Sequence, residues 1–188
     1  GGIPETPKKD CPAFDNTVNI ILGNNALACA AADRTARRLG YHARTISTTL
    51  TGEASRVGTD FASMAKAIAA GRPGWTKPAA AIAGGETTVT IRGKGKGGRC
   101  QEMTLAFAVE LHRLCPGSRN IFFLAAGTDG SDGPTDAAGA MVTPELMEKM
   151  NRISDQAAAH LAQNDAYPFF EKTGHLFMTG PTYTNVCD

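Results

Sequence analysis

The 188 residues are 42% hydrophobic and 20% charged and carry a formal net charge of +1, the profile of an ordinary globular protein long enough to bury a sizeable core. So small a charge offers no global field for nucleic acid or an acidic membrane, no apolar run approaches the roughly 20 residues of a membrane helix, and no signal peptide opens the chain. The five cysteines (Cys11, Cys29, Cys100, Cys115, Cys187) are odd in number and lack metal-type spacing, so the default setting is reducing and cytoplasmic, unless missing termini carry an organelle address.

Residues 1–17 open on Gly1-Gly2-Ile3-Pro4-Glu5-Thr6-Pro7 and read as a linker or expression remnant; residues 18–188 read as one domain. Val18 to Leu22 is a predicted strand, ended by Gly23-Asn24-Asn25. A helix follows, capped near Asn24 or Asn25, with Ala28, Ala32, Ala36 and Leu39 as its apolar stripe and Gly40 as its stop. Tyr41 to Leu50 is a second strand, and strand, helix, strand at this spacing is a βαβ unit with parallel strands. Val57, Phe61, Met64, Ala65 and Ile68 mark an amphipathic helix ending at Gly71. Ala79–Ala83 and Thr87–Ile91 are strand-type runs that Gly84-Gly85-Glu86 permits to pair as a hairpin.

Gly93-Lys94-Gly95-Lys96-Gly97-Gly98-Arg99 opens a helix carrying Met103, Phe107, Leu111 and Leu114, with Leu105 and Val109 making a second side apolar. Ile121–Ala126 is a buried strand, followed by an acidic loop over residues 127–136 and a short strand at Gly139–Val142. A helix begins at Thr143-Pro144-Glu145 and runs to Gln163 with a break near Asn151 to Ser154. Asn164-Asp165 is a turn, Tyr167–Lys172 a short helix and His175–Thr179 a last strand. The pattern predicts an α/β fold, a three-layer α/β/α domain with a mixed, mainly parallel sheet.

Two loops carry the chemistry. The Gly-rich loop ahead of a helix is an anion site in physical terms, because glycines admit close backbone approach and helix-end amides point outward. Lys94, Lys96 and Arg99 add positive charge. The string is neither a Walker loop nor a dinucleotide fingerprint, and a basic hairpin tip without ligand is the competing reading. The acidic loop holds Asp129, Asp132 and Asp136, too many carboxylates to bury unpaired, so it belongs at a cleft mouth; a surface loop of ordinary turn residues is the bland alternative. Such acids can hold Mg²⁺ with phosphate oxygens, or orient or deprotonate a substrate hydroxyl. Ser131 and Thr135 are available nucleophiles, but no G-x-S-x-G elbow accompanies them. The four histidines show no ligand spacing.

Several motifs occur in order: Gly-Gly-Glu-Thr-Thr-Val-Thr at 84–90, Gly-x-Gly-x-Gly-Gly-Arg-x-Gln-Glu at 93–102, the string 127–140, Asn164-Asp165, and Thr179 to Val186. Together they resemble the C-terminal MOFRL domain of the class II glycerate 2-kinases, a family that also carries the name hydroxypyruvate reductase. The resemblance runs from about Asn19 to Asp188. It implies ATP- and Mg²⁺-dependent phosphorylation of D-glycerate at the 2-hydroxyl, in a cleft between this domain and an N-terminal Rossmann-like domain absent here, so that this chain alone is inactive. It implies that Asp129, Asp132 and Arg99 are catalytic, with Asp129 and Asp132 serving the metal or the acceptor hydroxyl and Arg99 a phosphate or the glycerate carboxylate. Gly95, Lys96, Gly97 and Gly98 would bind phosphate or substrate, and Glu86, Thr128 and Asn185 would line the cleft. Cys100 and Tyr183 depart from the family pattern, which usually has Asn and Gly there. A homodimer is admitted as a further partner. The competing functions are an NAD(P)H-dependent hydroxypyruvate reductase, which lacks a dinucleotide fingerprint here, and a non-catalytic ligand-binding or assembly domain.

Overall fold

The structure, a computed structural model, describes residues 6, 8, 10–18, 20 and 22–186. Asn24 caps the first helix, α1 (Asn25–Arg38), through its Oδ1, which accepts the Leu27 amide at 2.9 Å. The buried residue of α1 is Cys29, while Ala32 and Leu39 of the predicted stripe are exposed; the packing face is turned by one position because Asn25 and Cys29 lie against Gly84. Strand β1 (His42–Leu50), helix α2 (Ala54–Ala69) and strand β2 (Ala79–Gly85) form a parallel βαβ unit, one helix later than expected, paired from His42 opposite Ala79 to Leu50 opposite Gly85 with register shifts between Thr45 and Ser47 and between Ser47 and Leu50.

Two expectations for this half need correction. Val18, Ile20 and Leu22 lie outside any strand, 82%, 74% and 90% exposed, with Asn19 and Ile21 outside the described residues. They meet no neighbouring strand among the described residues, and a strand without a ladder has nothing to hold it extended. The hairpin is also absent: after β2 the chain runs on in the same direction, and Thr88 bridges Glu53 in parallel. Gly85 makes the continuation possible. Its φ of 150° suits glycine alone, and a Cβ there would stand 2.2 Å from the Leu50 backbone nitrogen and oxygen.

Helix α3 (Arg99–Leu114) is the hub, buried at ten of its sixteen positions, as its apolar character on two sides foretells. Gly58 brings α2 against it, since a Cβ at that position would lie 2.2 Å from the Met103 carbonyl oxygen. The remaining elements are β3 (Phe123–Ala126), β4 (Gly139–Val142), α4 (Pro144–Ala162), α5 (Ala166–Thr173) and β5 (Leu176–Phe177). The last three strands form an antiparallel sheet in the order β3-β4-β5, so parallel pairing within this α/β fold is confined to β1 and β2 and the Glu53–Thr88 bridge that extends them. Leu105, Phe107 and Leu111 of α3 join Val142, Met147, Met150 and Phe170 in the core, with Phe107 stacked on Phe123 at 4.2 Å between ring centroids. The predicted break at Asn151–Ser154 does not occur: α4 is continuous, because Leu146, Met147, Met150 and Ala157 bury one stripe across it while Asn151 faces solvent. Among the described residues no helix is long and apolar enough to cross a membrane.

Candidate active site

The first turn of α3 leaves amides that no residue within the helix can satisfy. Its N-cap is Gly98, which has no side chain to offer. Asp132 of the acidic loop supplies the cap instead: Oδ1 accepts the Cys100 amide at 3.0 Å and Oδ2 the Gln101 amide at 2.8 Å. Gly98 is required for this, because a Cβ there would lie 2.3 Å from the Asp132 Cγ. Gln101 adds a further tie through Nε2, which donates to Thr135 Oγ1 at 2.8 Å, and Thr135 Oγ1 donates to the Asp132 carbonyl at 2.7 Å. The Gly-rich and acidic loops are thus in direct contact.

Asp132 is only 3% exposed. Burial pushes its carboxyl above the ordinary value, opposed by the two amides and by the Arg99 charge. Arg99, at the first position of α3, faces Glu86 just beyond β2, with Nη1 3.3 Å from Oε1. Two clusters therefore emerge. Glu86, Arg99 and Asp132 surround the start of α3. Thr128 and Asp129 of the acidic loop meet Asn185 of the C-terminal segment: Asp129 Oδ1 accepts the Ser131 amide at 3.0 Å, and Asn185 Nδ2 donates to Oδ2 at 3.4 Å. The C-terminal segment is stitched on by Thr182, whose amide donates to the Asp129 carbonyl and whose hydroxyl donates to that of Thr128, and by the Val186 amide on Thr128 Oγ1.

The predicted loop residues divide. Gly95 and Lys96 have spent their amides on Gln163 O and Asp165 Oδ1, and Lys96 Nζ lies 4.0 Å from the Tyr167 ring centroid. The Gly97 and Gly98 amides take no acceptor among the described residues. Behind the loop, Asn164 bonds the Arg92 and Gly93 amides and Glu102. Burial raises the Glu102 carboxyl, and the Asn164 amide opposes that. These roles of Gln101, Glu102, Asn164 and Asp165 escaped sequence reasoning. Their signals were a Gln-Glu pair in the first turn of a helix otherwise apolar on two sides and the Asn164-Asp165 motif.

Among the described residues no three His, Cys, Asp or Glu side chains gather as a metal cage. Asp129 retains carboxylate capacity suited to Mg²⁺, which takes one or two protein carboxylates and completes its shell with phosphate and water. Asp132, buried and bonded to two amides, fits a scaffold better than a metal ligand.

Residues 79–188 match the MOFRL family. The D-glycerate 2-kinase of Thermotoga maritima is 38% identical over 186 residues, 99% of this chain and 43% of that protein. The glycerate 2-kinase of Pyrococcus horikoshii is 40% identical over 188 residues, 99% of this chain and 41% of its own length. A crystal structure of Thermotoga maritima glycerate kinase superposes with a TM-score of 0.79 at 39% identity, covering 88% of this chain and 39% of that one. A Pyrococcus horikoshii protein superposes at 0.81 with 38% identity, over 98% of this chain and 41% of that one. The chain spans about two fifths of the length of these relatives. With the family's motifs placed on two loops in contact at the start of α3, the chain belongs to the MOFRL family.

Proposed function

We propose that the chain is the C-terminal part of a cytoplasmic glycerate 2-kinase, transferring a phosphoryl group from ATP to the 2-hydroxyl of D-glycerate with Mg²⁺. The remainder of the polypeptide supplies the opposite wall of the cleft. The observation that carries this reading is the contact between the Gly-rich loop and the acidic loop, in a chain whose relatives bear glycerate kinase names. Phosphoryl transfer asks mainly for positioning and for charge around the moving group.

The Gly97 and Gly98 amides with Arg99 hold an anion, a phosphate or the glycerate carboxylate. Asp129 holds Mg²⁺ or orients the acceptor hydroxyl and takes its proton. The metal, when bound, neutralises charge on the phosphates. Asp132 acts on Arg99 indirectly, by fixing the turn that carries it. Glu86 aims the guanidinium, and Thr128 and Asn185 hold the Asp129 loop.

Coupled-assay kinetics on the complete polypeptide test the reading. Asp129→Asn and Arg99→Ala should each lower kcat/KM by about 100-fold or more, the scale for losing one preorganised charge partner. This chain alone should show no turnover. Glycerate phosphorylation left intact by both substitutions would sink the site assignment. The solution mass of the complete polypeptide reads directly whether it is a homodimer.

A further inference from the structure

We propose that Asn164, in the turn between α4 and α5, is the positioning residue of the anion-binding loop, holding residues 92–96 from behind so that the Gly97–Arg99 end faces the ligand. The inference rests on the kinase reading of that loop.

Asn164 spends its whole side chain on this task. Oδ1 accepts the Arg92 amide at 2.6 Å and the Gly93 amide at 3.0 Å. Nδ2 donates to Glu102 Oε2 at 2.8 Å and to the Thr90 carbonyl at 3.3 Å. Its backbone takes φ 53°, a left-handed conformation that Asn tolerates and most side chains resist. Its neighbours continue the grip: Gln163 O accepts the Gly95 amide at 3.0 Å, Asp165 Oδ1 the Lys96 amide at 2.9 Å, and the Tyr167 amide donates to Lys96 O at 2.9 Å.

The fit extends to the glycines. A Cβ at Gly93 would lie 2.3 Å from Gln163 O, and one at Gly95 would lie 2.4 Å from Asp165 Cβ. These two glycines are small because the turn presses on them. A Gly-rich segment left free would lose backbone entropy each time it closed on an anion. Held at residues 92, 93, 95 and 96, it is preorganised. The Glu102 contact adds direction, because Glu102 lies in the helix that Arg99 begins, so one side chain registers the loop against the guanidinium.

Asn164→Gly keeps the backbone conformation and removes all four hydrogen bonds. In the complete polypeptide it should raise KM at least tenfold for ATP or for glycerate, whichever anion the loop holds. It should leave kcat within about threefold and speed amide exchange at residues 92, 93 and 96. Asn164→Asp keeps both amide bonds but loses the donor to Glu102 and to the Thr90 carbonyl, and should fall between. Adding Glu102→Gln exchanges donor and acceptor across the same contact and should bring KM back toward the parent; a general loss of packing would not be rescued this way. Should Asn164→Gly fail to fold, the Asn164→Asp pair carries the test alone. Both KM values within twofold in a folded variant, whether or not exchange accelerates, overturn the proposal. An unsubstituted polypeptide that does not phosphorylate glycerate overturns the kinase reading instead. Calorimetry with inorganic phosphate then decides for Asn164: tenfold weaker binding in the variant supports it, and unchanged binding refutes it.

Discussion

Gly98 and Asp132 are fitted to each other: the absent Cβ of the one leaves the room that the carboxylate of the other occupies while it caps α3. Removing either member should hurt stability by a named route. Asp132→Ala strands two amides in a buried place and should cost about 1–3 kcal/mol in urea unfolding, whereas Asp132→Asn keeps one acceptor and should cost less. Gly98→Ala drives a methyl group into that carboxylate and should also destabilise. Equal stabilities for Asp132→Ala and the parent would show the cap to be idle.

Tyr183 adopts φ 57° while its side chain is 97% exposed, so a left-handed backbone is held with no packing in return. Tyr183→Gly should raise stability by up to about 1 kcal/mol, the relief of a left-handed residue less the extra freedom glycine gives the unfolded chain. A lower unfolding midpoint for the variant would refute this.

Glu102 sets a pH dependence. Burial lifts its folded-state pKa above the ordinary 4.5, against the opposing Asn164 hydrogen bond. The folded protein therefore keeps this proton to higher pH than the unfolded chain does. Stability falls as pH rises from the ordinary value through the raised one. Glu102→Gln removes that part of the decline, while Asp132, shifted the same way, keeps its own. Thermal midpoints measured across this range should fall less steeply in the variant; parallel curves would exclude the assignment.

The Tyr167 hydroxyl donates to Asp136 Oδ1 at 2.8 Å, and that bond, ahead of burial, pushes its pKa to about 12. In an ultraviolet titration, the absorbance step lost on Tyr167→Phe should be one centred near pH 12. The variant keeps the ring beneath Lys96 and so should leave KM little changed. A missing step near pH 10 would mean that the bond to Asp136 does not form.

Residues that act through their neighbours in the chain were legible in the sequence. The Asn24 cap, the amphipathic α2 and the all-round burial of α3 follow from spacing that one helix imposes on itself. Strand pairing was not, because it depends on what lies across the ladder. Thr88 reads as the return arm of a hairpin until Gly85 is seen folded against Leu50. Asp132 shows the same limit at the site. Its sequence position beside Asp129 and Asp136 suggests a shared chemical role, whereas burial and two backbone amides from a segment some thirty residues earlier give it a different one. Asn164 gave no chemical hint, since all its partners come from residues 90–102.

Helix α3 begins beneath the Gly97 and Gly98 amides proposed to hold an anion and ends among the side chains of the core, so one rod belongs to both. An anion gripped at its first turn has affinity for the folded chain alone, and raising its concentration must lift the unfolding temperature. The reverse holds as well. A void opened beside Phe107 or Leu111, far along the rod, would loosen the seat of Arg99, and an assay would report as a binding defect what began as a packing fault.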